Sequence, residues 1–185
     1  LTAAPSAEEI KERFRSGDLN DLCEATEAAI REGGGFGWLA VPAREVLERY
    51  WKGVLAVPER RLFVARLDGV ICGSAQLVRP PRNNEAQAHS AQLTTTFISP
   101  WARGYGLSRL LTLTVLHAAR EDGRKVVNLD VRETQTAAIA LYHSLGFQEF
   151  GRHPHYANVG GQAVAGLYFT RDLGDLQPLA ESTPA

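Results

Sequence analysis

The sequence predicts an α/β (α+β) fold: a mixed sheet with helices on both faces. Three observations carry that expectation. Hydrophobic periodicity switches repeatedly between the two-residue repeat of strands and the 3.6-residue repeat of helices. Two strand-then-helix units follow one another in the second half, which implies a mixed sheet. An Asp68-Gly69 pair separates two apolar runs, a strong two-residue hairpin signal.

The elements follow in order. Ile10 to Phe14 reads as a short first strand. Asp18 suits a helix N-cap, and Leu19, Leu22, Cys23, Ala29 and Ile30 fall at three-and-four spacing on a helix from Leu19 to Glu32. Gly33, Gly34 and Gly35 stop it. Phe36 to Val41 is an aromatic connector. Pro42 fits the first turn of a second helix, whose apolar side is Val46, Leu47, Tyr50, Trp51 and Val54; Pro58 ends it. Arg61 to Leu67 and Val70 to Val78 are strands, and the β-branched stretch from Ala91 to Ser99 is a longer one. Leu107 to Asp122 is a helix closed by Gly123. Lys125 to Val131 is a strand, Thr134 caps a helix to about Ser144, and Gly146 ends it. Phe147 to Arg152 and Ala163 to Thr170 are the last strands. The polar tail beyond is expected to be loose.

Composition narrows the function classes. At 185 residues the chain is sized for one domain. Apolar residues at 44% and charged residues at 22% argue against disorder. Twenty basic against 21 acidic residues leave a net charge of −1, which disfavours a nucleic-acid partner. No apolar run reaches the roughly 18 residues of a membrane span, so no membrane partner is expected. Leu1 to Arg15 has neither an apolar stretch nor a cationic start, so it does not read as a signal peptide. Cys23 and Cys72 form no CxxC pattern, and reduced buried thiols in a cytoplasmic protein are expected. His153 and His155 could share a strand face, but no third ligand stands near them, so no metal is expected.

The informative stretch is Pro100-Trp-Ala-Arg103-Gly104-Tyr105-Gly106-Leu107-Ser108, between a strand and a helix. A helix N-terminus carries unpaired N–H groups and the positive end of the dipole, and glycines let a bulky anion approach. Residues 101–125 hold five basic and two acidic side chains, +3 in a chain of net −1. The P-loop pattern is absent, and the dinucleotide fingerprint fails because position 109 is Arg.

Arg103-x-x-Gly106-x-Ser108 resembles the acyl-CoA pyrophosphate motif of the GNAT superfamily of N-acyltransferases, with Ser108 where the family has Gly or Ala. Ala138-x-x-Leu141-Tyr142-x-x-Leu145-Gly146-Phe147 resembles that family's second signature, with Gln135 where Asn is frequent. Several further segments look like the tabtoxin resistance acetyltransferase branch: Gly33 to Trp38, Ala75-Gln76-Leu77, Ala102-Arg103-Gly104, Leu129-Asp130, Tyr156-Ala157 and Leu167-Tyr168-Phe169. That branch tends to have Arg-Ala-Glu where this chain has Ser90-Ala91-Gln92. The resemblance implies a mostly antiparallel sheet of six to seven strands. It implies a single acyl-CoA N-acyltransferase domain over residues 1–173, with a polar tail over 174–185.

The reaction it implies is acetyl transfer from acetyl-CoA to a primary amine, by direct attack on the thioester and without a metal. The implied cofactor contacts are Thr96, Phe97 and Ile98 along the long strand, Arg103, Gly104, Tyr105, Gly106, Leu107 and Ser108 at the turn, and Gln135 and Ala138 on the later helix. Tyr142 is the implied general acid. Asp130, at the end of a central strand, is a candidate base or ammonium anchor, and an N-cap or salt bridge is its structural alternative. Phe36, Trp38, Gln92 and Tyr156 are candidates for the acceptor pocket, with His153 and His155 on the same late segment. The expected partner is a small-molecule amine, as in toxin or antibiotic detoxification, and the expected state is a monomer or homodimer. The alternatives are a protein or peptide amine as acceptor, or a non-catalytic acyl-CoA-binding module.

Overall fold

A computed structural model describes residues 3–34 and 36–179. β1 (Pro5–Ile10) leads into α1 (Asp18–Arg31) and α2 (Arg44–Ala56). β2 (Arg60–Leu67), β3 (Val70–Val78) and β4 (Ser90–Ile98) form an antiparallel meander. Then come α3 (Leu107–Glu121), β5 (Val126–Arg132), α4 (Thr136–Ser144), β6 (Gln148–Val159) and β7 (Gln162–Asp172). The seven strands make one sheet in the order β1-β2-β3-β4-β5-β7-β6. Only β4 and β5 pair in parallel; the other neighbours are antiparallel.

Alternation along β2 shows why both faces are covered. Leu62 and Val64 join Leu22, Leu47 and Trp51 in the core beneath α1 and α2. Phe63, Ala65 and Leu67 join Leu107, Leu111 and Val115 in the core beneath α3. Burying the Leu, Val and Phe side chains among them stabilises the fold by roughly 1.5–3 kcal/mol each. The β2–β3 turn has positive φ at both Asp68 and Gly69, the primed geometry that matches strand twist.

Two irregularities position the site. β4 and β5 pair only over Ser90–Gln92 and Val126–Asn128. Beyond that point a cavity lies between them, walled by Leu93–Thr96 on one side and Leu129–Arg132 on the other. On the opposite edge of β4, Ser74 pairs with Phe97 and Gln76 with Thr94. One β3 residue therefore faces two on β4, a bulge at Thr95-Thr96, and Thr95 takes φ +52°. A β-branched residue is strained in that region, and such strain clusters at functional sites.

Several local expectations are corrected. The first strand is Pro5–Ile10, not Ile10 to Phe14, because Glu8 and Glu9 point at Arg66 and Arg61 of β2 and give the strand a charged look. Asp18 is the first residue of α1 and does not cap it. Gly17 is the N-cap, while the buried Asp18 carboxylate accepts from Arg66 Nη1 at 2.8 Å and Nη2 at 3.0 Å. α2 begins at Arg44 rather than at Pro42, and Val46 is exposed. Gln135, not Thr134, is the N-cap of α4. β6 runs on to Val159, well past the expected end at Arg152, while β7 gains one residue at its start and two at its end. Leu173 and Leu176 are buried in the α3-side core, so the ordered chain continues past the expected polar boundary. Gly35 of the expected helix stop and residues 180–185 of the expected tail lie outside the described residues.

Candidate active site

Two cavities meet where β4 and β5 part. One, of about 600 Å³, lies between the 36–38 connector, α2, β5 and β6. The other, of about 660 Å³, runs from the end of α1 across the α3 N-terminus to α4. Gly34, Thr96, Gln135, Ala138 and Tyr142 border both.

The first cavity contains Asp130. Its Oδ1 accepts from Gln92 Nε2 at 2.8 Å, and its Oδ2 accepts a short hydrogen bond from the Tyr156 hydroxyl. Gln92 is exposed and lies outside the cavity lining, so it reaches the site only through Asp130. β6 and β7 slip register between His153 and Ala157, and Tyr156 falls inside that slip. A Cβ on Gly166 would stand 2.2 Å from the Tyr156 ring, so the missing side chain makes the room in which the ring lies. Burial raises the Tyr156 pKa well above the ordinary phenol value, and the bond to Asp130 adds to the shift, so the group stays a donor.

Phe36 and Trp38 form the roof of this cavity. Phe36 packs on Phe97 with ring centroids 4.9 Å apart, and Trp38 meets Tyr50 edge-on at 5.0 Å. The connector is tied down from below, because Arg132 Nη2 donates to the Phe36 carbonyl at 2.7 Å and Gln135 Nε2 to the Gly33 carbonyl at 3.1 Å. His153 and His155 are exposed and do not line the cavity; the His155 amide donates to His153 Nδ1. Among the described residues no group of three His, Cys, Asp or Glu side chains gathers as metal ligands.

The second cavity is bordered by Arg103, Gly104, Gly106, Leu107, Ser108 and Arg109. Gly106 is the N-cap of α3 with φ +72°, a conformation that L side chains rarely adopt, and among the described residues no side chain caps the helix. The first-turn amides are therefore left for an anion, with the helix dipole behind them. The first turn of α4, from Thr136 to Ala138, forms the far bank. Thr96, Phe97 and Ile98 line the same cavity. Tyr105 does not line it, and its side chain is half exposed.

Tyr142 is 6% exposed and packs against Phe147 and Phe169. Burial is the largest influence on the phenol and raises its pKa. At neutral pH the phenol is protonated and can donate toward either cavity.

Four contributors escape the sequence reading as site residues: Glu32, Tyr50, Thr95 and Arg132. Tyr50 was visible only as one apolar position of a helix, and Thr95 sits in a Thr-Thr-Thr run with nothing to mark a bulge. Glu32 and Arg132 act through contacts distant in sequence.

This architecture is that of an acyl-CoA N-acyltransferase. Residues 22–147 match the acetyltransferase (GNAT) family, and the chain belongs to it. A relative from Azospirillum brasilense, "Uncharacterized N-acetyltransferase in hisH-hisA intergenic region", is 67% identical over 122 residues, covering 66% of this chain and 73% of that protein. The N-alpha-acetyltransferase RimI of Mycobacterium tuberculosis is 36% identical over 123 residues, covering 65% of this chain and 72% of its own. The fold matches yncA of Salmonella typhimurium, solved with its cofactor acetyl-CoA, at a TM-score of 0.74 and 18% identity over 93% of this chain and 95% of that one. It also matches a ribosomal-protein-alanine N-acetyltransferase from Brucella melitensis at 0.75 and 22% identity, over 90% and 99%. The protein is an acetyl-CoA-dependent N-acetyltransferase.

Proposed function

We propose that the acceptor is a small molecule bearing a primary amine, acetylated in the Asp130 cavity, as in the detoxification or self-resistance that the tabtoxin-branch resemblance suggests. The observation that carries this reading is the pocket itself. A carboxylate with both oxygens held faces a cavity of about 600 Å³ walled by Phe36, Trp38, Tyr50 and Tyr156. An ammonium group with an apolar stem suits such a site, through the carboxylate and the aromatic faces.

In this reading the α3 cavity takes the coenzyme A half. The amides from Gly104 to Ser108 and the Arg103 guanidinium receive the pyrophosphate, and the β4 backbone at Thr96 to Ile98 runs beside the pantetheine arm. Gln135 and Ala138 close the opposite side. The bulge at Thr95-Thr96 leaves backbone out of the ladder at the junction of the cavities, where a thioester carbonyl can be polarised. The neutral amine forms a C–N bond to the acetyl carbon, the C–S bond breaks, and the sulfur leaves with a proton from Tyr142. The proton lost by the amine passes to Asp130 or through water to solvent, and Tyr142 is re-protonated from solvent before the next turnover. No enzyme nucleophile is needed, because the thioester is already activated; orientation and charge placement supply the rate.

A second reading, acetylation of a peptide or protein amine, is favoured by the Mycobacterium tuberculosis relative, whose name gives N-alpha acetylation. A panel of small amines and short peptides, incubated with acetyl-CoA and followed by thiol release, decides between them. Peptide-only turnover would reject the small-molecule reading.

A further inference from the structure

Beneath the acceptor cavity runs a fixed hydrogen-bond relay. Gln76 on β3 is fully buried. Its Oε1 accepts from Arg60 Nη1 at 2.6 Å, and its Nε2 donates to the Tyr50 hydroxyl at 2.9 Å. The polarity of this chain admits no alternative. A guanidinium has donors only, so the amide oxygen must face Arg60 and the amide nitrogen must face Tyr50. The Tyr50 oxygen is thereby an acceptor, and its single hydrogen must turn elsewhere. Among the described residues no protein group accepts it, and Tyr50 lines the acceptor cavity.

The strand register adds the second point. Gln76 pairs with Thr94, and Gln92 pairs with Asn128, two residues before Asp130. Gln76, Gln92 and Asp130 thus share one face of the sheet, and β4 lies between the first and the last. The Tyr50 end of the relay lies over β3 and the Asp130 end on β5, on opposite sides of the opening where β4 and β5 part. One end offers a carboxylate; the other offers a directed O–H.

We propose that Tyr50, set by Arg60 and Gln76, is a specificity-determining donor. The acceptor then carries, away from its amine, an oxygen that accepts a hydrogen bond: a carboxylate, an amide carbonyl or a hydroxyl. This rests on the small-amine reading above and narrows it. Arg60 and Gln76 are positioning residues, acting through Tyr50.

The test uses paired amines of equal length, such as an alkylamine beside an amino acid, an amino amide and an amino alcohol, and compares kcat/KM ratios. Wild type should favour one or more of the oxygen-bearing amines over the alkylamine. Tyr50→Phe should lower that ratio about tenfold, the size of one lost hydrogen bond to a substrate. Gln76→Glu reverses the relay, because a carboxylate accepts from both Arg60 and Tyr50 and turns the phenol hydrogen out of the cavity. It should reproduce the Tyr50→Phe ratio, and the double variant should add nothing. A ratio unchanged in Tyr50→Phe, or equal losses on every amine, overturns the inference alone. A wild-type enzyme that acetylates no amine of the panel overturns the small-amine reading and this inference together.

Discussion

Glu32, the residue after the last turn of α1, grips the guanidinium of Arg103 through both of its carboxylate oxygens. Both side chains border the α3 cavity, and both are about half exposed. An exposed pair of this kind contributes little stability, about 0–1 kcal/mol. It does occupy the cation that the pyrophosphate reading needs, so a bound phosphate must compete with Glu32 for Arg103.

Replacing Glu32 by Gln should therefore tighten coenzyme A binding. At low ionic strength the Kd is expected to fall by about two- to fivefold, and added salt should narrow the gap. Titration calorimetry reads the effect directly. A Kd that is unchanged or weaker would detach Arg103 from the cofactor site.

Tyr142 touches both cavities, and burial keeps its proton on at neutral pH. Tyr142→Phe retains the ring and its packing on Phe147 and Phe169. We expect kcat to drop by roughly 100-fold while acetyl-CoA affinity stays within about twofold. Equal turnover in the variant would end the general-acid role.

Asp130 faces an acceptor whose ammonium has a pKa near 10, so the free amine is scarce at low pH. Asp130→Asn removes the charge that attracts the cation and the group that can take its proton. The expected loss in kcat/KM is about tenfold at pH 8 and larger at pH 6. A ratio of wild type to variant that is flat with pH would leave Asp130 with a purely structural task.

The Asp18–Arg66 pair gives a prediction about stability. Burial pushes the Asp18 carboxyl upward, but the hydrogen bonds from Arg66 and from the Arg15 amide, with the charges of both arginines, outweigh it and hold the group below its ordinary value. A depressed native pKa stabilises the fold above the unfolded carboxylate's pKa, and that contribution disappears as pH falls through the native value. Asp18→Asn should remove about 3 kcal/mol at pH 7, since it leaves Arg66 buried with only Glu8 as a charged partner. Urea melts should show the wild-type advantage shrinking below about pH 4. A gap that stays constant down to pH 2 would mean the pair is not the origin of the effect.

The meander and α3 were legible because their signals are local: an Asp-Gly turn, alternating apolar residues and a leucine-rich face closed by Gly123. β1 was misplaced and β6 was cut short because both are edge strands. Glu8 and Glu9 in β1, and Arg152 to His155 in β6, meet solvent or ion-pair partners, so their composition imitates a loop. Asp18 shows the other limit. A residue type suited to capping was used on Arg66, 48 positions away, and no window of neighbours reveals that. The site follows the same rule. Glycines at a strand-to-helix turn and a tyrosine before Gly146-Phe147 could be read in sequence. The Thr95 bulge, the Gln76 relay and the Arg132 tie to Phe36 are products of register and long-range contact.

The brief contact between β4 and β5 has a mechanical consequence. With only three residue pairs joining β4 to β5, the β1–β4 part of the sheet and the β5-β7-β6 ribbon are fastened along a narrow weld, as two plates would be. A ligand lodged in the wedge would brace both plates at once. Amide exchange at Leu93–Thr96 and Leu129–Arg132 should then slow together when coenzyme A is added, as one opening motion is suppressed.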